Sequence, residues 1–266
     1  MKRLIQLILN PLKIIRYGFR HFDEDLHEKQ CREKFNITKL PTTDIRNFAK
    51  AQETTISHYS FLEGTSLITD FILLKSLASS YESCEYLEIG SWRGESLVNV
   101  ASVARTCTSV TLSAEQMRQL NFGESFIKNH GVFSKNVRNI NLVEANSHEF
   151  DFNSLNKKFD LIFIDGDHTY EGVVNDTKKV FDLRKNQKSV IVWHDYGNST
   201  ETVRPSVLHG ILNGVPAEKH KHLYHVSNTM CAIYIEDQSL TSHVTSFPSM
   251  PDKYFSFNVK ITNFQE

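Results

Sequence analysis

From Glu85 to Trp193 the chain alternates between short apolar runs and stretches of helical period, and this alternation restricts it to the α/β class. Runs at Glu85–Ile89, Ser109–Leu112, Asn141–Glu144, Leu161–Asp165 and Ser189–Trp193 predict strands. The stretches Ser96–Arg105, Ala114–Lys128, Tyr170–Arg184 and Pro205–Leu212 predict helices. Runs such as LIFI and VIVW are apolar on both faces, which fits a parallel sheet covered by helices on each side. Further on, Leu223–Val226 and Met230–Ile235 are separated only by Ser227, Asn228 and Thr229. That link is too short for a crossover helix, so the two runs must pair as an antiparallel hairpin. The expected fold is a doubly wound, mostly parallel sheet with a C-terminal antiparallel hairpin.

The flanks divide the chain into three expected parts. Residues 1–60 form a helical extension or lid, residues 61–236 the main domain, and residues 237–266 a tail or edge decoration. A helix with Thr65 or Ser66 as cap is expected through Leu67, Phe71, Leu74 and Ala78. Within residues 1–20, Ile5, Ile8, Leu12, Ile15 and Phe19 share one helical face, and Arg3, Lys13, Arg16 and Arg20 lie on the other. This basic amphipathic pattern is read either as attachment to an anionic membrane surface or as packing on the protein's own domain or a second copy. Its apolar runs are far shorter than the roughly 20 residues that span a bilayer, and no small-residue cleavage site follows.

A formal net charge of -1 supplies no field that would gather nucleic acid, and none is expected as a partner. Cys31, Cys84, Cys107 and Cys231 form no C-x-x-C pair, so they read as reduced thiols of a cytoplasmic protein, with peripheral contact at the inner membrane face left open. Whether the chain forms a homo-oligomer is also left open.

The segment EIGSWRGES, Glu88–Ser96, is a strand entering a helix through two glycines. In such sheets ligands bind at the carboxyl ends of strands, and glycines let them approach the backbone. A dinucleotide site would want G-x-G-x-x-G to cradle a pyrophosphate, but Trp92 stands at its second glycine. The acidic Glu88 suits a cationic cofactor without phosphate.

This segment, followed by IDGDHTYEGVVNDTKKVF and VIVWHDY, resembles the class I S-adenosylmethionine-dependent methyltransferases of the family that includes macrocin O-methyltransferase. It is similar in layout to catechol O-methyltransferase. The resemblance covers roughly residues 65–236 and implies a Rossmann-like sheet ending in a hairpin. It implies that Glu88, Gly90, Ser91, Trp92, Gly94 and Ser96 line the methionine and ribose of S-adenosylmethionine, with Asp165 close by and Ser147 near the adenine. Relatives end the second strand with an acidic ribose ligand, where this chain has Ser113; Glu115, two residues on, is the substitute candidate.

Methyl transfer to a hydroxyl needs positioning and a base. Asp165 and Asp195 follow adjacent expected strands, and with His194 or Asn198 they offer hard donors for a divalent cation, Mg²⁺ by preference. His168, three residues after Asp165, is the candidate base, since histidine changes charge near neutrality. The resemblance also implies a base at His168 and metal ligands at Asp165 and Asp195. Asp167 is read as a ligand or a helix cap. His209, His220, His222 and His225 read as surface or core, Trp193 as core, and Tyr59, Phe61 and Tyr196 as aromatics that would close over a substrate.

The expected activity is metal-assisted O-methylation of a sugar, glycan or other natural-product hydroxyl. Two alternatives share the scaffold: an iron enzyme resembling cephalosporin hydroxylase, with iron on His168, Asp165 and Asp195, and a binding protein that keeps the fold without turnover.

Overall fold

The apolar runs assemble as their two-sided patterning demands. In the computed structural model, which describes residues 11–49 and 53–264, the strands form a single nine-stranded sheet. In chain order the elements are α1 (Pro11–Phe35), β1 (Thr42–Thr43), α2 (Ile68–Ser79), β2 (Glu85–Ile89), α3 (Glu95–Ala101) and β3 (Thr106–Thr111). Then come α4 (Ala114–Gln119), α5 (Glu124–Asn129), β4 (Ile140–Glu144), β5 (Leu161–Ile164), α6 (Tyr170–Phe181) and β6 (Val190–Trp193). The chain finishes with α7 (Pro205–Gly214), β7 (Leu223–Val226), β8 (Ala232–Tyr234) and β9 (Ser242–His243).

The sheet order is β4-β3-β2-β5-β6-β8-β7-β1-β9. The first five strands are mutually parallel, β8 runs antiparallel between β6 and β7, and the hairpin predicted from the three-residue link is present. Strand order reverses at β2, where the chain builds outward to β3 and β4 on one side and to β5 and β6 on the other, and a crevice opens outside the carboxyl ends of strands at such a switch. Register sets what meets there. Ile89 pairs with Ile164 and Ile164 with Trp193, so the residues after these strand ends, Gly90, Asp165 and His194, follow side by side.

Strand period two sorts side chains between two cores. Leu87, Ile89, Ile162, Ile164, Ile191 and Trp193 pack against α6 and α7 through Val173, Val180, Val207 and Ile211. Tyr86, Phe163 and Val192 face α2 and α3 through Leu73, Leu74, Leu77, Leu97 and Val100. By the same parity Glu88, Asp165 and His194 turn toward the α2 and α3 side.

Four local expectations differ from the outcome. The helix predicted at Ala114–Lys128 breaks into α4 and α5, because Asn121 adopts φ 62 and Gly123 starts the second piece. The α2 start is organised by the Asp70 carboxylate accepting the Leu67 N–H at 2.8 Å, not by a Thr65 or Ser66 cap. Residues 42–43 of the N-terminal extension enter the sheet as β1, and residues 242–243 of the tail pair with them as β9. Tyr196 is buried, its hydroxyl accepting the Leu40 N–H at 2.9 Å, so it is a core residue and no lid. The first half of the amphipathic stretch, residues 1–10, lies outside the described residues, and no described helix is long and apolar enough to cross a membrane.

Candidate active site

The β2–α3 turn is shaped by two close approaches. Gly90 has φ +82, and a Cβ there would lie 2.3 Å from the Asp165 carbonyl oxygen. Only glycine admits that backbone and that neighbour together. Gly94, φ +85, caps α3 against Ser134. Glu88 is fully buried, accepting from the Tyr86 hydroxyl at 2.6 Å and from Ser96 Oγ at 2.9 Å. Burial pushes its carboxyl up to about 8 against those two hydrogen bonds. Ser96 is thereby tied to Glu88, while Ser91 Oγ is buried without a partner among the described residues.

Trp92 is wedged rather than free. Its ring stacks on Phe126 at 5.0 Å, the Arg93 guanidinium lies 3.7 Å over it, and Gly64 abuts it. Residues 57–65, where the expected extension meets the main domain, pack here too: Ser60 N–H and Thr65 Oγ1 donate to the Glu95 carboxylate, and Ser57 N–H donates to Asn99. This segment clasps the N-terminal turn of α3. Phe61, at φ 56 and 66% exposed, stands at its tip with Tyr59 behind it, ring centroids 4.5 Å apart.

The ribose and adenine candidates are less engaged with the turn. Ser113 Oγ accepts the Gln116 N–H as the cap of α4, and Glu115 is exposed with Gln119 as its partner. Ser147, half-buried past β4, gives its carbonyl to Lys179.

The second half of the site follows β5 and β6. His194 Nδ1 lies 3.1 Å from Asp165 and 3.5 Å from Asp195, and donor atoms of these three residues all fall within 4.8 Å of one another. Asp195 has φ 57, a left-handed conformation that strains a non-glycine residue and recurs at functional sites. His194 Nε2 lies 3.2 Å from the Asp70 carboxylate. Burial works against a charged imidazole, but Asp165, with Asp195 and Asp70, overcomes it and holds His194 well above its ordinary range. Burial raises Asp165. On Asp195 burial is outweighed by His194, Arg204 and His168, which hold it down to about 2. His168, its side chain 59% exposed, stands at the mouth 3.6 Å from Asp195.

Asp167 does not join the cluster. Its carboxylate accepts from Thr169 N–H and Oγ1, and Thr169 in turn caps α6. Asn198 accepts from Arg204 Nε at 3.1 Å and is likewise apart from it. Two residues that reading the sequence missed complete the cluster: Asp70 from α2, and Arg204, whose Nη2 lies 3.3 Å from Asp195. Asp70 has one sequence signal, as the one acidic residue in the helical stretch ITDFILLKSLAS; Arg204 has only its place before Pro205.

A family model described as a methyltransferase domain matches residues 87–196. A comparison with curated proteins finds no match. Among solved structures the chain is similar to cofactor-bound Rv0187 from MTB, at 17% identity over 67% of this chain and 84% of that one, TM-score 0.46. It is similar to the SAH-bound methyltransferase PaMTH1 of Podospora anserina, at 17% over 65% and 80%, TM-score 0.42. It is similar also to an O-methyltransferase from Bacillus cereus in complex with SAH, at 14% over 65% and 84%, TM-score 0.45.

Proposed function

We propose that the chain, whose residues 87–196 match a family model described as a methyltransferase domain, uses S-adenosylmethionine to methylate a hydroxyl of a sugar, glycan or related natural product with the help of a divalent cation. The observation that carries this reading is the Asp165, His194 and Asp195 trio beside the Gly90 turn. The trio fits a cation on two counts. His194 Nδ1 is buried with two carboxylates near it but no aligned hydrogen bond, and its other nitrogen is anchored on Asp70. Charge also balances: the carboxylates of Asp70, Asp165 and Asp195 offset a divalent ion plus the Arg204 guanidinium when His194 is neutral.

The donor set of oxygens with one imidazole favours a hard ion, and Mg²⁺ is the choice. When bound, the ion would polarise an acceptor hydroxyl and lower its pKa. The chain's own residues do the rest. Asp165, His194 and Asp195 orient the acceptor end, the Gly90 turn admits the cofactor closely, and the Ser57–Thr65 segment shields the start of α3 from water. His168 at the mouth accepts the hydroxyl proton, and Asp195 steadies the resulting imidazolium.

Titration calorimetry tests the two halves. One S-adenosylmethionine site is expected, and one Mn²⁺ site that Asp165→Asn weakens at least tenfold. No heat at millimolar cofactor sinks the turnover reading, and SAH release from a panel of hydroxyl acceptors that ignores EDTA sinks the cation.

The amphipathic residues 1–20 add a proposal of their own, peripheral binding to the anionic cytoplasmic membrane face. Sedimentation with acidic liposomes at low salt is expected, and its absence in the full-length chain rejects the idea.

A further inference from the structure

Asp70 is a carboxylate with no exposure to solvent, on α2, seventeen positions before the matched domain begins. Taking a carboxylate out of water costs several kcal/mol unless it is paired and hydrogen-bonded. Here every partner is a donor. Oδ1 accepts the Met230 N–H at 2.9 Å, with Cys231 Sγ at 3.5 Å, and Oδ2 accepts the Leu67 N–H at 2.8 Å and faces His194 Nε2 at 3.2 Å. One side chain thus fastens the start of α2, the turn between β7 and β8, and the residue after β6.

Capping α2 explains only one of these contacts, and a cap has no need of full burial. The His194 contact spans 124 residues of sequence and holds an imidazole whose other nitrogen points at two further carboxylates. An imidazole that ligates a metal through one nitrogen commonly donates its other N–H to a carboxylate, which fixes the ring and raises its basicity. The carboxylate matters chemically, since an amide would turn its NH₂ toward the Met230 N–H or toward Leu67 and His194.

We propose that Asp70 is a positioning residue of the site: accepting the Nε2–H of His194, it sets the ring with Nδ1 toward Asp165 and Asp195, where a divalent cation is held. The inference rests on the cation reading above and extends it to a residue outside the methyltransferase domain. Asp70 is fully buried and meets the Asp165, His194 and Asp195 trio through the His194 ring, so it acts on the cation through that ring.

Two measurements on the full-length protein decide it. The first uses the metal-free protein labelled with ¹⁵N-histidine, with His194 assigned through His194→Gln. Its Nε2–H signal is expected to be protected from solvent exchange and to lose that protection in Asp70→Asn. An Nε2–H that exchanges as fast as that of exposed His168 in the wild type overturns the proposal without reference to any variant's folding. The second is Mn²⁺ binding followed by electron paramagnetic resonance. Asp70→Asn is expected to weaken it about 10- to 100-fold, while in a His194→Ala background the same change adds no further loss. Equal affinities, or losses that simply add, overturn the proposal. A wild type that binds no Mn²⁺ at millimolar concentration removes the cation reading and with it the cation half of the proposal, and the exchange measurement then rules alone on whether Asp70 orients His194.

Discussion

At the scale of single residues, the site holds ionisable groups where solvent does not reach, and Glu88 gives the cleanest consequence. In the unfolded chain its carboxyl ionises near 4.5, whereas in the fold burial moves it to about 8. Between those values the native state binds one proton more than the unfolded chain, so stability falls as pH rises, by about 1.4 kcal/mol per pH unit from this group. The contribution is complete below about 4.5 and gone above about 8. Glu88→Gln is expected to flatten the decline between pH 5 and pH 8. Urea unfolding at four pH values checks this, and parallel curves for both proteins would remove Glu88 as its source. Gly90→Ala acts by shape instead. A left-handed residue with a Cβ costs about 1–2 kcal/mol before any clash, and this Cβ meets the Asp165 carbonyl at 2.3 Å. A loss above about 2 kcal/mol is expected in the same assay, accompanied by weaker Mn²⁺ binding because Asp165 must shift; a loss confined to stability would uncouple the turn from the cluster. Asp165, His194 and Asp195 could be read in the sequence because they fill the first one or two positions after an apolar strand. Asp70 and Arg204 could not, since the partners that define them lie 124 and nine positions away along a path that only the tertiary fold closes.

At the scale of elements, what could be read was whatever a local pattern determines. The buried parallel strands announced themselves by apolar runs, and the hairpin by a link too short for anything else. The two-residue strands β1 and β9 carry no period at all; they exist because Thr42 and Thr43 are brought to the edge of β7, and Ser242 and His243 to the edge that β1 then offers. The partners of α1 were equally hidden. Its Glu24 accepts both the backbone N–H of Ser206 at 2.9 Å and that residue's hydroxyl at 2.8 Å, satisfying donors in the first turn of α7 from another helix. Glu24→Ala is expected to cost about 1 kcal/mol, the usual value of a lost cap. Because α7 starts directly after Arg204, the fraying should also loosen the Asp195 side of the cluster. Hydrogen exchange at Ser206 and Val207 reads the first effect, and unchanged protection there would show that the cap is idle.

At the scale of the whole molecule, the stretch expected to be an appended extension is part of both cores. Cys31 and Leu40 lie in the cluster against α6 and α7, and Ile45 lies in the one against α2 and α3. The Leu40 N–H also satisfies the buried Tyr196 hydroxyl, one residue from Asp195. Burying Leu40 and Ile45 contributes about 1.5–3 kcal/mol each, so their joint share is a large part of the 5–15 kcal/mol that typically holds a domain together. A chain beginning at residue 61 keeps the whole matched methyltransferase domain, yet exposes both cores and orphans the Tyr196 hydroxyl. It should melt at least 10 °C below the full-length protein or without cooperativity, and it should bind Mn²⁺ more weakly even where it remains folded, because Asp195 loses the support of its neighbour. If that shortened chain melted within a few degrees of the full length, residues 11–49 would be a detachable cover after all, and the acceptor end of the site would have to be rigid on the strength of the sheet alone.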